Sequence, residues 1–444
     1  MEQRDLITTP IVIMLVLMGA YLVRPYVTDN INRRYFFPAL FVKIVGAISV
    51  GLIYQFYYNG GDTFMYHTYG SRLVWTTFFD SPFKGITLLF RKSGDYTDVY
   101  EYASRIYFFK DPSSYSLVRL ASVFDLLTLS SYAATSVLFA CFGFVGIWSL
   151  YLTFYQQYPW LHRNLAVAIC FIPSVFFWSS GILKETIVVA CLGVATFQLY
   201  SIIIVERKVS ISRIVLLILA LYYIFVIKKF ILQAFIPAVI VWLFVANLSR
   251  IRSLVLRLLM IPFVSVIELA SAYYSVVQVG KGDEKYALDK IAETAKITAY
   301  DIRYWTGRDA GSGYDLGILD GTIPSMFRLA PQAINVSLFR PYLWEVKNPL
   351  MLFSAAEGAF FLLFATYIFV KKRSTFLRSL TDPNIIFCLV FSLSFAFAVG
   401  VSTFNFGTLV RYKTPMLPFF LLALVLMLDY KKSDKKFSEL DSTE

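Results

Sequence analysis

The sequence predicts an all-helical, polytopic integral membrane protein with about eleven transmembrane helices. Three observations carry that expectation. Of 444 residues, 58% are hydrophobic and only 16% are charged, whereas an ordinary soluble domain is roughly 45–50% apolar and about 25% charged. The mean hydropathy is +0.63. Apolar runs of about twenty residues, long enough to cross a hydrocarbon core of roughly 30 Å, recur along the whole chain.

The spans fall near residues 6–23, 38–57, 131–155, 164–180, 186–205, 214–227, 230–248, 254–274, 349–370, 384–404 and 414–429. The first lacks a small-residue cleavage site and is followed by arginines, so it reads as an anchor and not as a signal peptide. The net charge of +12 does not point to nucleic acid, because most Lys and Arg sit in short clusters beside the apolar runs. Basic clusters in short loops mark the cytoplasmic side. With the tail lysines (Lys431, Lys432, Lys435, Lys436) inside, the groups Arg24/Arg33/Arg34, His162/Arg163, Arg207/Lys208/Arg213, Arg250/Arg252/Arg257 and Lys371/Lys372/Arg373 also fall inside. That threading puts the N-terminus outside. The chain then reads as a single membrane-embedded domain over 1–430 with a charged cytoplasmic tail over 431–444.

Two long segments, about 58–130 and 275–348, remain outside the cytoplasm. Both are rich in aromatic and apolar residues at helical spacing, so neither reads as disordered. "DSPFKGITLLFRK" and "TIPSMFRLAPQAINVSLF" are expected to form short amphipathic helices in the interface. The four cysteines, Cys141, Cys170, Cys191 and Cys388, lie inside apolar spans without paired spacing. They read as small core residues, not as disulfides or metal ligands. The chain has only two histidines, which argues against a His-built metal site. The sequon Asn335-Val336-Ser337 reads as accidental.

Against this background, cations on the outer side are informative. "SSGILKETI" places Lys184 and Glu185 in a tight outer turn, and "FVIKKFIL" does the same for Lys228 and Lys229. "NFGTLVRYKTP" places Arg411 and Lys413 at the outer end of the last hairpin, and "LFRPYLWE" places Arg340 just before the ninth span. Ionisable groups at membrane depth cost about 2.5–3.5 kcal/mol at a helix centre on insertion scales. Lysines that only snorkel to lipid headgroups would give the same pattern. A set of four such turns at one face reads instead as a cationic bowl for an anionic ligand.

The stretch "YYNGGDTFMYHTYG" puts Asp62 at the rim of that bowl. Its two glycines let the backbone leave the second span sharply and approach a ligand closely. Asp62 fits two roles, a general base for an attacking hydroxyl or the N-cap of the helix that follows. Tyr66 and His67 follow four and five residues later, with His67 near the face of Thr63. His67 reads as a substrate contact or as an interfacial aromatic. Aromatics here and in "IRYWTGRD" offer flat apolar faces for sugar rings. Further acidic candidates are Asp95, Asp98 and Glu101 in "GDYTDVYEY". The glycine-rich "TGRDAGSGYDLGILDG" carries Arg308, Asp309, Asp315 and Asp320 and is either a lid or a solvated loop. It is not a phosphate-binding P-loop, which needs Gly-Lys-Ser/Thr ahead of a helix.

Together "GGDTFMYH", "PSVFFWSSGILKE", "FRPYLWE…AAEG" and "GTLVRYKTPMLPFF" resemble bacterial O-antigen and exopolysaccharide polymerase-like membrane proteins and the related GT-C glycosyltransferases. The resemblance implies a bacterial inner-membrane enzyme using a polyprenyl-phosphate- or pyrophosphate-linked sugar donor and a glycan acceptor at the extracytoplasmic face. It implies an acidic residue in the first outer loop, matched by Asp62, and outer cations for the pyrophosphate, matched by Lys184, Arg340 and Arg411. The chain lacks the paired Asp-Asp or Asp-Glu of familiar GT-C loops. No cofactor is therefore expected, although divalent metal use stays open. The alternatives are a transporter or flippase of lipid-linked oligosaccharide, which would use Lys43 and Glu268 inside the spans, and a non-catalytic scaffold of an envelope complex.

Overall fold

In a bilayer core no water can satisfy backbone N–H and C=O groups, so each long apolar run must close its hydrogen bonds within itself as a helix. The computed structural model describes residues 2–205, 210–248, 290–305, 312–373 and 375–441, and every regular element among them is helical. Among the described residues eight helices are long and apolar enough to cross a membrane: Gln3–Val27, Arg33–Phe56, Tyr132–Tyr155, Lys184–Ile204, Lys229–Asn247, Pro349–Lys371, Pro383–Thr403 and Phe406–Tyr430. The chain is a multi-pass helical membrane protein.

The remaining expected spans differ in instructive ways. Residues 214–227 form an apolar helix, Ile211–Ile227, of 17 residues, shorter than the others. Residues 164–180 are not one helix. They divide into His162–Cys170 and Pro173–Trp178, because Pro173 has no N–H to donate and forces the preceding Ile172 into an extended conformation. The span expected at 254–274 lies outside the described residues, as do Arg207, Lys208, Arg250, Arg252, Arg257 and Glu268.

The chain forms two compact units, Met1–Lys228 and Lys229–Glu444. In the first unit the helices are α1 (Gln3–Val27), α2 (Arg33–Phe56), α3 (Asp62–Tyr66), α4 (Arg72–Asp80), α5 (Pro82–Phe90), α6 (Tyr100–Ala103), α7 (Pro112–Thr128), α8 (Tyr132–Tyr155), α9 (His162–Cys170), α10 (Pro173–Trp178), α11 (Lys184–Leu199) and α12 (Ile211–Ile227). Helices α3 to α7 are the first long segment between spans, and α5 is the short helix expected from "DSPFKGITLLFRK".

The unit is built around α8, which packs on α1, α2 and α11. Small residues let α8 and α11 touch through their backbones. A Cβ on Gly193 would stand 2.0 Å from the Gly146 carbonyl oxygen, and one on Gly146 would stand 2.2 Å from the Ala190 Cα. Such small-residue contacts drive helix association where lipid tails are as apolar as leucine.

The two ends of this unit are polar. At one end Asp5, near the start of α1, accepts from Ser131 Oγ at 2.7 Å and so ties itself to the N-cap of α8. At the other end the Tyr35 hydroxyl, near the start of α2, lies 2.7 Å from His162 Nδ1 at the start of α9.

In the second unit Pro383–Thr403 is central. It packs on the helices Lys229–Leu248, Ile291–Trp305, Ala330–Phe339 and Leu417–Asp441. Phe235, Trp242, Phe387, Phe391 and Phe419 form its aromatic core, and Trp242 Nε1 donates to Asn384 Oδ1 at 2.9 Å. "TIPSMFRLAPQAINVSLF" forms Ile323–Arg328 and Ala330–Phe339. The second of these is not merely interfacial. Ala333, Val336, Ser337 and Leu338 are buried, and a Cβ on Gly400 would stand 2.3 Å from the Ala333 carbonyl oxygen. The last helix continues through residue 441, so the expected tail is helical over 431–441.

Candidate functional site

The site in the first unit starts from the two glycines. After α2 ends at Phe56, Asn59, Gly60 and Gly61 all take positive φ, of 54°, 130° and 120°. A Cβ at Gly61 would lie 2.9 Å from the Tyr54 ring, so this turn needs glycine there for both conformation and space. Gly61 is itself the N-cap of α3, and Asp62 is the first helical residue. The capping role considered for Asp62 therefore belongs to its neighbour.

Asp62 lies within electrostatic reach of Lys184, as do Asp111, Glu185 and Lys228. Three further chain segments supply those groups. Lys184 and Glu185 open α11. Asp111 is the N-cap of α7 and accepts from the backbone N–H of Ser113 and Ser114. Ser113 Oγ donates to the Ile227 carbonyl at 2.8 Å, which brings in the end of α12 and Lys228.

The two lysines are held differently. Lys228 Nζ meets Glu185 Oε1 at 2.8 Å, with side chains only 9% and 1% exposed. That is a closed, buried ion pair. Lys184 Nζ stands 3.6 Å from the carboxylate of Asp111, beyond hydrogen-bond length, and Asp111 is 47% exposed. The Asp111 carboxyl is held below its usual range. Burial opposes ionisation, but hydrogen bonds from Ser114, the charge of Lys184 and the backbone N–H groups outweigh it. Lys184 also stands where the N-terminal dipole of a 16-residue helix adds positive potential.

The turn carrying Lys184, Ser179 to Leu183, is buried, so its backbone groups need internal partners. Lys43, buried in the middle of α2, supplies one of them. Its Nζ donates to the Ser179 carbonyl and to Ser179 Oγ, each at 2.6 Å. Gly143 leaves room for this, since a Cβ there would lie 2.7 Å from the same carbonyl and 3.5 Å from Nζ. Lys43 thus caps the broken α9–α10 segment.

His67 lies wholly inside the protein, not at an interface. Its Nε2 is 3.4 Å from Asp125 Oδ1, also fully buried, and neither ring nitrogen makes a hydrogen bond. Asp125 accepts from Thr135 Oγ1 at 2.6 Å. The His67 ring stands edge-on to Tyr132, whose hydroxyl is 2.7 Å from Thr63 Oγ1, so Thr63 and His67 share a face as their spacing required. Tyr66 is buried with its ring 4.9 Å from Phe108.

The second unit holds the other candidates. Arg340 is clamped by Glu345 through Nε and Nη2, and its guanidinium faces the rings of Phe406, Tyr342 and Tyr314 at 5.4, 5.8 and 6.0 Å. Burial opposes ionisation of Glu345, but hydrogen bonds from Arg340 and the Tyr342 N–H hold its carboxyl below the usual range. Lys413 is fully buried and its Nζ donates to the Arg340 carbonyl at 3.4 Å. Arg411 is partly buried in the last turn of Phe406–Tyr412, where a cation complements the helix dipole. Lys229 opens the helix Lys229–Leu248 and is partly exposed.

Other acidic candidates stabilise turns. Asp95 accepts from Thr97 and Arg91, Asp98 is 4.0 Å from Arg91, and Glu101 sits exposed in α6. Asp315 and Asp320 accept from the N–H groups two residues on. Arg308 and Asp309 lie outside the described residues. Among the described residues no group of three His, Cys, Asp or Glu side chains gathers as a metal site.

No family model, curated protein or solved structure matches this chain.

Two participants, Asp111 and Asp125, were missed in the sequence, and Lys43 was singled out only for a transport role. Asp111 had a signal, since Asp-Pro-Ser-Ser reads as a helix N-cap with proline at the first helical position. Lys43 and Asp125 carry no local signal for their partners, which lie 136 and 58 positions away along the chain.

Proposed function

We propose that the chain is a membrane glycosyltransferase or polysaccharide polymerase acting on a polyprenyl-phosphate- or pyrophosphate-linked sugar in the assembly of cell-surface polysaccharide. The observation that carries this reading is the loosely paired Lys184 at the start of α11, with the carboxylate of Asp62 within its electrostatic reach. A cation added to a helix N-terminus suits a phosphate group. Here the acceptor hydroxyl attacks the anomeric carbon of the donor and Asp62 takes its proton. The bond from that carbon to the phosphate oxygen breaks, and the leaving phosphate departs with the electron pair toward Lys184. Lys228, closed on Glu185, orients the site and does not bind the anion. The positive-inside rule places this end at the extracytoplasmic face, with about eleven spans, an outer N-terminus and an inner C-terminus. The donor would be met there after flipping, and the remaining partners are the glycan acceptor and the bilayer.

Purified protein with a lipid-linked oligosaccharide donor tests this reading. Asp62→Asn keeps the shape and removes the proton-accepting charge. Product formation falls by about 10²–10⁴-fold, the usual contribution of a positioned acid or base, while donor binding persists. Undiminished product from Asp62→Asn would sink the proposed chemistry. A second reading, transport of the lipid-linked oligosaccharide, is favoured by one observation: Lys43 is buried mid-span against a discontinuous helix, a feature of transporter sites. It requires donor to cross a vesicle membrane with no new glycosidic bond.

A further inference from the structure

Helix α5 turns large apolar side chains outward as well as inward. Gly85 and Leu88 point into the protein, where a Cβ on Gly85 would stand 2.7 Å from the Phe78 ring and the Leu88 carbonyl accepts from the Tyr115 hydroxyl at 2.8 Å. On the opposite side Phe83, Ile86 and Phe90 are 80%, 50% and 82% exposed. Their spacing of three and four residues makes one continuous stripe along the helix. Phe79, near the end of α4, is likewise exposed, at 68%. An amphipathic surface helix would turn polar residues outward at these positions. Among the described residues of the first unit none covers this stripe.

Charge and position name the occupant. From Pro82 to Lys92 the chain carries Lys84, Arg91 and Lys92 and no acidic residue. Lys84 lies against the Tyr102 ring, Arg91 pairs with Asp95, and Lys92 is exposed. The hairpin is fastened at the polar end of the unit, where Arg72 of α4 meets Glu2 at 2.6 Å and the Ser130 carbonyl. An apolar stripe flanked by cations, on a hairpin whose first residue is tied to the start of α1, fits the boundary between phosphate headgroups and acyl chains.

We propose that the α4–α5 hairpin is a lipid-docking surface, with Phe79, Phe83, Ile86 and Phe90 inserted in the outer acyl region of one leaflet and Lys84 and Lys92 directed to lipid phosphates. This holds whatever reaction the chain performs and rests only on its being a membrane protein. Helices bound in this way sit about 5–10 Å into the headgroup and acyl boundary.

The test uses the full chain with Cys141→Ala, the other three cysteines being buried. Phe83→Cys and Phe90→Cys are each labelled with an environment-sensitive fluorophore, and Ser104→Cys, an exposed site, is the water reference. The protein is placed in phosphatidylcholine–phosphatidylglycerol vesicles containing lipids with a nitroxide at the headgroup or deep in the acyl chain. Labels at 83 and 90 emit at shorter wavelength than the label at 104 and are quenched more by the shallow nitroxide than by the deep one. Water-like emission without quenching would overturn the proposal. Short-wavelength emission that neither nitroxide quenches would also overturn it, since another protein surface would then cover the stripe. If either variant fails to elute as the parent does, Ile86→Cys on the same stripe gives the same reading.

Discussion

Lys228 and Glu185, 43 positions apart in the chain, meet at 2.8 Å with both side chains buried. The cations that look equivalent in sequence are therefore not equivalent. Removing one partner of a buried pair leaves the other charge unsatisfied, at a cost of about 3–5 kcal/mol. Lys228→Gln should lower the thermal unfolding temperature of the detergent-solubilised protein clearly. Lys184→Gln should lower it little, because Asp111 keeps its own N-cap bonds, yet should abolish glycan product. Equal stability losses in the two variants would contradict this division of labour.

Lys43 gives a second expectation. Lys43→Met keeps the apolar stem and deletes both hydrogen bonds to Ser179. A buried carbonyl left without its donor costs about 1–3 kcal/mol. The variant should unfold at lower temperature, and the turn bearing Lys184 should exchange its amide hydrogens faster. Unchanged exchange there would show that Lys43 is not what holds the turn.

The Arg340–Glu345 clamp should be sensitive to acid. A carboxyl depressed on folding contributes stability that is fully present above its unfolded value, about 4.3 for glutamate, and lost as pH falls through the folded value. The gap in unfolding temperature between the native chain and Glu345→Gln should thus be widest near neutrality and close below about pH 4. A gap that persists in strong acid would assign the effect to packing. Arg340→Lys should also lose stability, since a lysine cannot reproduce the two-point contact.

Gly193→Ala probes the contact between α8 and α11. Its methyl group would be driven to 2.0 Å from the Gly146 carbonyl oxygen, and overpacking of this kind costs about 1–3 kcal/mol. A lower unfolding temperature is expected, and a neutral result would mean that the two helices separate easily.

The sequence made the spans legible wherever an apolar run was uninterrupted, as over Tyr132–Tyr155 and Pro383–Thr403. It was less legible where hydropathy and backbone chemistry disagree. Residues 164–180 are greasy enough to span, but Pro173 ends the hydrogen-bond ladder within them. At the site, Gly-Gly before Asp62 announced a sharp turn, because the need for glycine at positive φ is local. The partners of Lys184 and Lys228 did not announce themselves. Ion pairing between Asp111 and Lys184 depends on which helix ends the fold assembles, and a linear pattern does not encode that. His67 shows the same limit, since only packing of Tyr132 and Asp125 around its ring decides that it is buried.

The backbone contact at Gly146, Ala190 and Gly193 has a mechanical consequence. Two helices touching main chain to main chain have no side-chain cushion to deform, so they cannot slide or twist past one another without losing the fit. They behave as one stiff strut. Any gating motion in the first unit must then pivot about other joints, such as the break between α9 and α10 at Phe171 and Ile172. Movement there would shift the turn beginning at Ser179 while Lys184, the first residue of α11, stayed fixed with the strut.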